Sequence, residues 1–142
     1  KIFDDLLICG LTPRKSRTIM FPSMPPKCVR HFLRGCWDGD GSIYLEYANP
    51  LKCRAHYVSG SRVFIEGLAH KLCEEGLTKV TVHTVKNGNS FYVKYGPQDC
   101  AKMYHLFYDG VEESIYLTRK YLRFQAASES LDRKKGAWLP FI

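Results

Sequence analysis

The sequence predicts an α+β domain with its elements in the order αββαββα, a four-stranded antiparallel sheet carrying helices on one face. Three observations point there. Apolar residues recur at three- and four-residue spacing over 26–38, 61–76 and 97–108, the period of helices facing a core. Between these stretches run two pairs of segments with period-two alternation, 42–47 with 52–59 and 79–85 with 90–95. The chain has 142 residues, 45% apolar and 25% charged, which is enough for one buried core and excludes a disordered or collagen-like chain.

Each element has its own signals. Residues 2–8 have the apolar pattern of a helix end before Gly10 and Pro13 break it, and Pro22, Pro25 and Pro26 mark residues 10–26 as an extended surface connector. Pro26 suits a first helical turn, where its missing N–H costs nothing. Val29, Phe32, Leu33, Cys36 and Trp37 then give that helix an apolar face as far as Asp38. Beyond Gly41 the period falls to two, and the strands 42–47 and 52–59, separated by Asn49-Pro50, form a hairpin. Ser61 is placed to cap a second helix with Phe64, Leu68 and Leu72 on one face, and Gly76 suits its C-terminus. Asn87-Gly88, within Lys86-Asn87-Gly88-Asn89, is a strong hairpin signal between the last two strands. Pro97 opens a third helix to about Tyr108, and a fourth is expected from about Ser114 to Phe124. The organisation expected is an N-terminal connector at 1–24, the domain at 25–125 and a weakly patterned tail at 126–142 that includes Arg133, Lys134 and Lys135. The start at Lys1 without Met and the helix-like residues that follow point to a fragment.

Charge narrows the function. Lys and Arg number 21 against 14 Asp and Glu, a net charge of +7, and the pI is about 9.1. That balance favours a polyanionic partner, nucleic acid first. Parity gives the partner a surface. Lys52, Arg54 and His56 share one side of a strand against Cys53, Ala55 and Tyr57; Lys79, Thr81 and His83 oppose Val80 and Val82; Tyr92 and Lys94 oppose Phe91, Val93 and Tyr95. An open, basic, hydrogen-bonding sheet face results, and a β-ribbon of this kind fits the DNA major groove. An ordinary solvated sheet face has the same parity. The six cysteines form no C-x-x-C pair and read as buried free thiols, and no His stands at zinc-ligand spacing beside them. No run is long enough to span a membrane and no secretory signal is present, so an intracellular site is expected, the cytoplasm or nucleoid of a bacterium or phage host or an organelle.

The sharpest local feature is Leu33-Arg34-Gly35-Cys36-Trp37-Asp38-Gly39-Asp40-Gly41-Ser42, a helix that ends in two carboxylates. A calcium loop would need glycine at Ile43 and a bidentate Glu at Asn49, which excludes an EF-hand. A tight glycine-rich turn in which Asp38 satisfies backbone donors explains the pattern locally.

Residues 33–41 also resemble the nine-residue signature of the LAGLIDADG homing endonucleases, with Leu33, Gly35, Asp38, Asp40 and Gly41 on signature positions and Arg34, Cys36, Trp37 and Gly39 departing from its letters. Gly10-Leu11-Thr12-Pro13-Arg14-Lys15-Ser16 leading to Phe21-Pro22 resembles the connector of bacterial members, and Tyr116-Leu117-Thr118-Arg119-Lys120 resembles the family's last helix. The resemblance spans about residues 6–125. It implies a saddle-shaped sheet and a sequence-specific endonuclease that makes double-strand breaks in duplex DNA, as the mobility of introns and inteins requires.

In such a protein two motif helices pack side by side, here through Leu33, Gly35, Cys36 and Asp38, because glycine permits close approach. One motif therefore needs a partner domain, as a homodimer or as the missing half of a two-motif chain of which this is the second half. The resemblance assigns Asp40 and the Gly39 carbonyl to divalent metal, Mg²⁺ with Ca²⁺ or Mn²⁺ as substitutes, while Asp38 turns back to stabilise the turn. Lys94 falls near the family's pocket lysine, with Gln98 a weaker catalytic candidate and a plain phosphate contact the alternative for Lys94. The DNA-contacting set is Ser42, Tyr44, Glu46, Lys52, Arg54, His56, Arg62, Lys79, Thr81, His83, Lys86, Asn87, Asn89, Tyr92 and Lys94. Arg119, Lys120 and Arg123 read either as further backbone contacts or as a solvated face. The alternative function on this scaffold is a non-cleaving nucleic-acid binder, an intron maturase or transcription regulator.

Overall fold

The computed structural model describes residues 1–46 and 49–136. Its elements are α1 (Ile2–Ile8), α2 (Pro26–Gly39), β1 (Ser42–Glu46), β2 (Asn49–Ser59), α3 (Arg62–Glu74), β3 (His83–Thr84), β4 (Phe91–Tyr95), α4 (Pro97–Tyr108) and α5 (Thr118–Gly136), with short 3₁₀ turns at Lys15–Arg17 and Glu113–Ile115. The four strands form one antiparallel sheet in the order β1-β2-β4-β3. The architecture is the mixed α+β one expected, and no helix among the described residues is long and apolar enough to cross a membrane.

Alternation along the strands decides which face is covered. Ile43, Cys53, Ala55, Tyr57, Val93 and Tyr95 are buried, and the core they share includes Trp37 of α2, Ile65, Leu68 and Leu72 of α3, Met103 and Phe107 of α4, and Phe124 and Ala127 of α5. Trp37 is fully buried, and its ring lies 5.3 Å from that of Tyr57 and 6.0 Å from those of Tyr95 and Phe107. The first and third helices of the αββαββα order therefore meet over the middle of the sheet. Ser61 caps α3 as expected, its hydroxyl accepting from the Phe64 N–H at 3.3 Å, and the α3 end is turned by Gly76 at φ +95°.

Two elements differ from expectation. The strand expected at 79–85 forms a ladder only over His83–Thr84, although the alternation of exposed Lys79 and Thr81 with half-buried Val80 and Val82 persists. Upstream, the backbone N–H and the hydroxyl of Thr78 both donate to Asp99 Oδ1 in the first turn of α4, at 3.0 and 3.2 Å, which ties the chain to the helix layer. The last helix starts at Thr118, four residues later than expected, because Tyr116 is extended at φ −142° and ψ 162°. It then crosses residue 125 without a break and reaches Gly136. Its continuation buries Ala127 and Ser128 in place of large apolar side chains, so residues 126–136 belong to the helix and are no separate tail; residues 137–142 lie outside the described residues.

The connector is also more embedded than a surface linker. Phe21 packs edge-on against Phe32 at 5.4 Å and beside Phe64 at 5.8 Å, and the Ser61 hydroxyl donates to the Ile19 carbonyl at 2.6 Å. A Cβ at Gly67 would lie 2.4 Å from Phe21 Cβ, so that glycine is required for the docking of the connector on α3.

Candidate active site and strand face

The end of α2 is fixed by packing. Gly41 carries the chain directly over Trp37, where a Cβ would sit 2.6 Å from the indole and 2.8 Å from Trp37 Cα. The N–H groups of Asp40 and Gly41 both donate to the Cys36 carbonyl, at 2.9 and 3.2 Å, and β1 begins at once. The two aspartates of this turn consequently face opposite ways. Asp38 is only 9% exposed; its Oδ2 accepts the Leu117 N–H at 3.1 Å and its Oδ1 accepts from the Tyr108 hydroxyl at 3.4 Å. Burial and the neighbouring Asp38 carboxylate push the Tyr108 hydroxyl up from its ordinary pKa, so it stays a protonated donor. Asp40 is exposed and forms no hydrogen bond or ion pair through its side chain among the described residues.

Helix geometry explains which side of α2 is open. At 100° per residue, Val29, Leu33, Trp37, Arg30, Arg34 and Asp38 share one half of the helix, and these turn towards the core and the helix layer. Arg34 is buried and donates to the Phe107 carbonyl at 3.1 Å, and Arg30 donates to the carbonyl of Asp109, so the pair caps the C-terminal carbonyls of α4. The opposite half carries Cys28, His31, Phe32, Gly35, Cys36 and Gly39. Of the four residues expected at a helix-helix interface, Leu33 (fully buried) and Asp38 thus face inward and are corrected to core and turn positions, whereas Gly35 and Cys36 are on the open side. A Cβ at Gly35 or Gly39 would meet nothing within 4 Å. Gly35 and Cys36 join Asp40 and Tyr57 in lining an open groove beside the connector. There burial, then the nearby Asp40 charge, pushes the Cys36 thiol up to about 12, so it is a neutral, unreactive group.

Across the sheet's other face the register aligns the predicted strand residues in rows. Ser42 pairs with His56 and His56 with Lys94; Tyr44 pairs with Arg54; Val58 pairs with Tyr92 and Tyr92 with His83. The first row starts two residues after Asp40. Two strand spacings put Lys94 about 10 Å across the sheet from Ser42. Tyr92 is the hub of this face: the His56 and His83 rings lie 5.3 and 5.2 Å from it, and the Lys94 ammonium sits over it at 5.1 Å. Burial first, then the Lys94 charge, holds His56 below its ordinary pKa. Lys52, Arg54, Lys86, Asn87 and Asn89 are exposed on or beside this face, and the Asn87 side-chain carbonyl accepts the Asn89 N–H at 3.1 Å within the turn; Lys79 and Thr81, upstream of the ladder, are exposed beside its edge and line a groove with Arg62, Glu66 and Cys73 of α3. The Glu46 side chain lies outside the described residues.

Two predicted site residues do not join the others. Past Lys94 the register moves away from Asp40, since Tyr95 already pairs at the level of Ile43, so Gln98, exposed on the first turn of α4, is not beside the aspartate. Arg62 sits at the start of α3, paired with Glu66 at 2.8 Å and lying 5.8 Å over the ring of Phe91 on the helix side of the sheet. It is thereby removed from the open strand face.

Two residues of the last helix, expected only as DNA-backbone contacts or a solvated face, hold the turn. Lys120 is only 8% exposed, and its ammonium donates to the carbonyls of Trp37, at 3.2 Å, and Gly41. One helical turn on, Arg123 donates to the Ile43 carbonyl at 3.0 Å, and between them Trp37 Nε1 donates to the Ser42 carbonyl at 3.3 Å. Lys120 is therefore an internal cap, while Arg119 and Arg123 stay exposed, Arg123 reaching the Ile43 carbonyl from the surface. The motif of alternating cations on α5 held no signal of this, because the partners are about eighty residues away. Burial lowers the Lys120 pKa, with Arg119 acting in the same direction and the two aspartates opposing it. Comparison with described protein families and with curated proteins finds no match.

Proposed function

We propose that this chain is the DNA-cleaving domain of a LAGLIDADG-type homing endonuclease, a divalent-metal-dependent, sequence-specific enzyme that works as a pair of such domains on duplex DNA. The observation that carries the reading is the meeting, at one helix end, of an exposed unpaired carboxylate, an open glycine stripe and the first row of a basic strand face. A structural turn needs Asp38 alone; it gives no reason for the second carboxylate or for glycine at position 35.

The donor set suits a hard cation. Asp40 supplies a carboxylate, and the Gly39 carbonyl, among the last of α2, receives no hydrogen bond among the described residues. Mg²⁺ takes one or two carboxylates with water and phosphate oxygens completing its shell, so a single chain supplying two oxygens matches its habit. Bound there, Mg²⁺ would lower the pKa of a water molecule and neutralise charge developing on the scissile phosphate. The chain's own residues do the rest. Gly35 and Gly39 let a second motif helix approach, which brings two Asp40 side chains to one place, one per DNA strand. The strand face binds backbone through Lys52, Arg54, Lys79, Lys86 and Lys94, and Ser42, Tyr44, His56, His83, Asn89 and Tyr92 present hydrogen-bonding and aromatic groups to base edges. Lys94, on the row nearest Asp40, is the chain's own cation closest in register to the cleaved phosphate.

The test is a randomised duplex pool offered to the protein with Mg²⁺ or Ca²⁺, with the mass of the complex measured and bound and cut molecules sequenced. A pair of chains that selects a pseudo-palindrome and cuts it only with Mg²⁺ is the expected result. Selection of a site without cutting under any divalent ion would overturn cleavage and favour the non-cleaving binder.

A further inference from the structure

We propose that Lys120 is a positioning residue for Asp40, setting the direction in which the carboxylate leaves the helix. The inference rests on the reading of Asp40 as a metal ligand and extends it to a residue on the last helix.

The argument is geometric. Asp40 lies in the four-residue segment 38–41, the last two residues of α2 and the two that join it to β1. Lys120 grips the carbonyls of Trp37, just before that segment, and of Gly41, at its end, with one buried ammonium. Within the segment the Asp38 carboxylate is held by the Leu117 N–H and the Tyr108 hydroxyl. Beyond it, Trp37 and Arg123 take the Ser42 and Ile43 carbonyls in succession. Asp40 is thus the one side chain of the turn pointing outward from a backbone gripped on both sides of it. A lysine serves here because three N–H donors on one atom can reach two carbonyls that diverge, and a cation is favoured where carbonyls end a helix. The ammonium forms no ion pair with Asp40 among the described residues, so the carboxylate is left free to bind metal.

The experiment compares residue-resolved amide hydrogen exchange and cleavage kinetics in the full chain, in Lys120→Met and in Ala127→Gly, the last a destabilising control further along α5. Met keeps the aliphatic stem and removes the ammonium. In Lys120→Met the Asp40 and Gly41 amides should exchange faster by about tenfold or more than in the control, with Val93 and Leu68 matching it. On the selected DNA, kcat per folded molecule, with the folded fraction measured for each variant, should fall by about tenfold or more below that of Ala127→Gly with KM unchanged. Exchange at Asp40 and Gly41 no faster than in Ala127→Gly would overturn the proposal, as would a kcat equal to the control's. Should Lys120→Met not fold, Lys120→Gln, which keeps a donor for one carbonyl, is judged by the same two comparisons. If the parent chain itself does not cut DNA, the endonuclease reading fails while the exchange comparison still decides whether Lys120 positions the turn.

Discussion

Asp38 and Asp40 stand two positions apart, and their environments separate their roles. Replacing Asp38 with Ala leaves the buried Tyr108 hydroxyl and the part-buried Leu117 N–H without their acceptor, a loss of about 1–3 kcal/mol measurable as a lower denaturant midpoint. Asp40→Asn removes a charge that takes part in no hydrogen bond or ion pair among the described residues. It should leave the unfolding midpoint and the DNA affinity nearly unchanged while slowing cleavage by about a hundredfold or more; unchanged cleavage would remove Asp40 from the site. A third residue carries a pH signature. His56 has a folded pKa below its ordinary 6.5, so the unfolded chain takes up a proton more readily than the folded one. Its contribution to stability is level above that value and declines as the pH falls through 6.5 towards the folded pKa. His56→Gln should therefore flatten part of the loss of melting temperature between about pH 7 and pH 5. The parity of the strand already placed His56 on the open face; its burial against Tyr92 and Lys94 depends on strand pairing that no local pattern contains.

At the scale of elements, Gly35 within α2 and Gly41 just after it make opposite demands. Gly41 is needed by the chain itself, because a methyl group would enter the Trp37 indole and its Cα. Gly41→Ala should destabilise by about 1–3 kcal/mol through overpacking. Gly35 has open space where its side chain would be. Gly35→Val should fold at least as stably as the parent, since valine is the better helix residue, yet lose the association of two chains; a variant that associates like the parent would refute pairing through this face. The caps at Ser61 and Gly76 were legible because local backbone chemistry requires them, whereas the need for glycine at 41 comes from the packing of Trp37. What escaped had non-local causes. The strand at 79–85 kept its alternation but lost its ladder to a threonine held by Asp99, and the last helix ran on past Phe124 on small buried residues, Ala127 and Ser128, that hydrophobic periodicity does not register. Lys120 was unreadable for the same reason: in a run with Arg119 it looks like surface charge until the helix is laid against the end of α2.

For the whole molecule, charge placement links fold to function in a form that salt can test. The helices cover one sheet face and leave on the other five exposed cations, Lys52, Arg54, Lys79, Lys86 and Lys94, arranged on and beside strands whose register is fixed. Each cation that neutralises a phosphate releases counterions, so a single chain using all five should show log affinity falling with log salt at a slope of about −4.5, and a pair of chains on one duplex about twice that. Measuring the slope for the parent and for Gly35→Val separates two properties at once. If the α2 face pairs the chains, the variant should keep a slope near the single-chain value and lose the steeper one, with Lys94→Gln lowering either by about one unit per chain. A slope near −1 in the parent would mean that the strand face does not engage the phosphates, and the polyanion partner inferred from the net charge of +7 would then have to bind elsewhere on the surface.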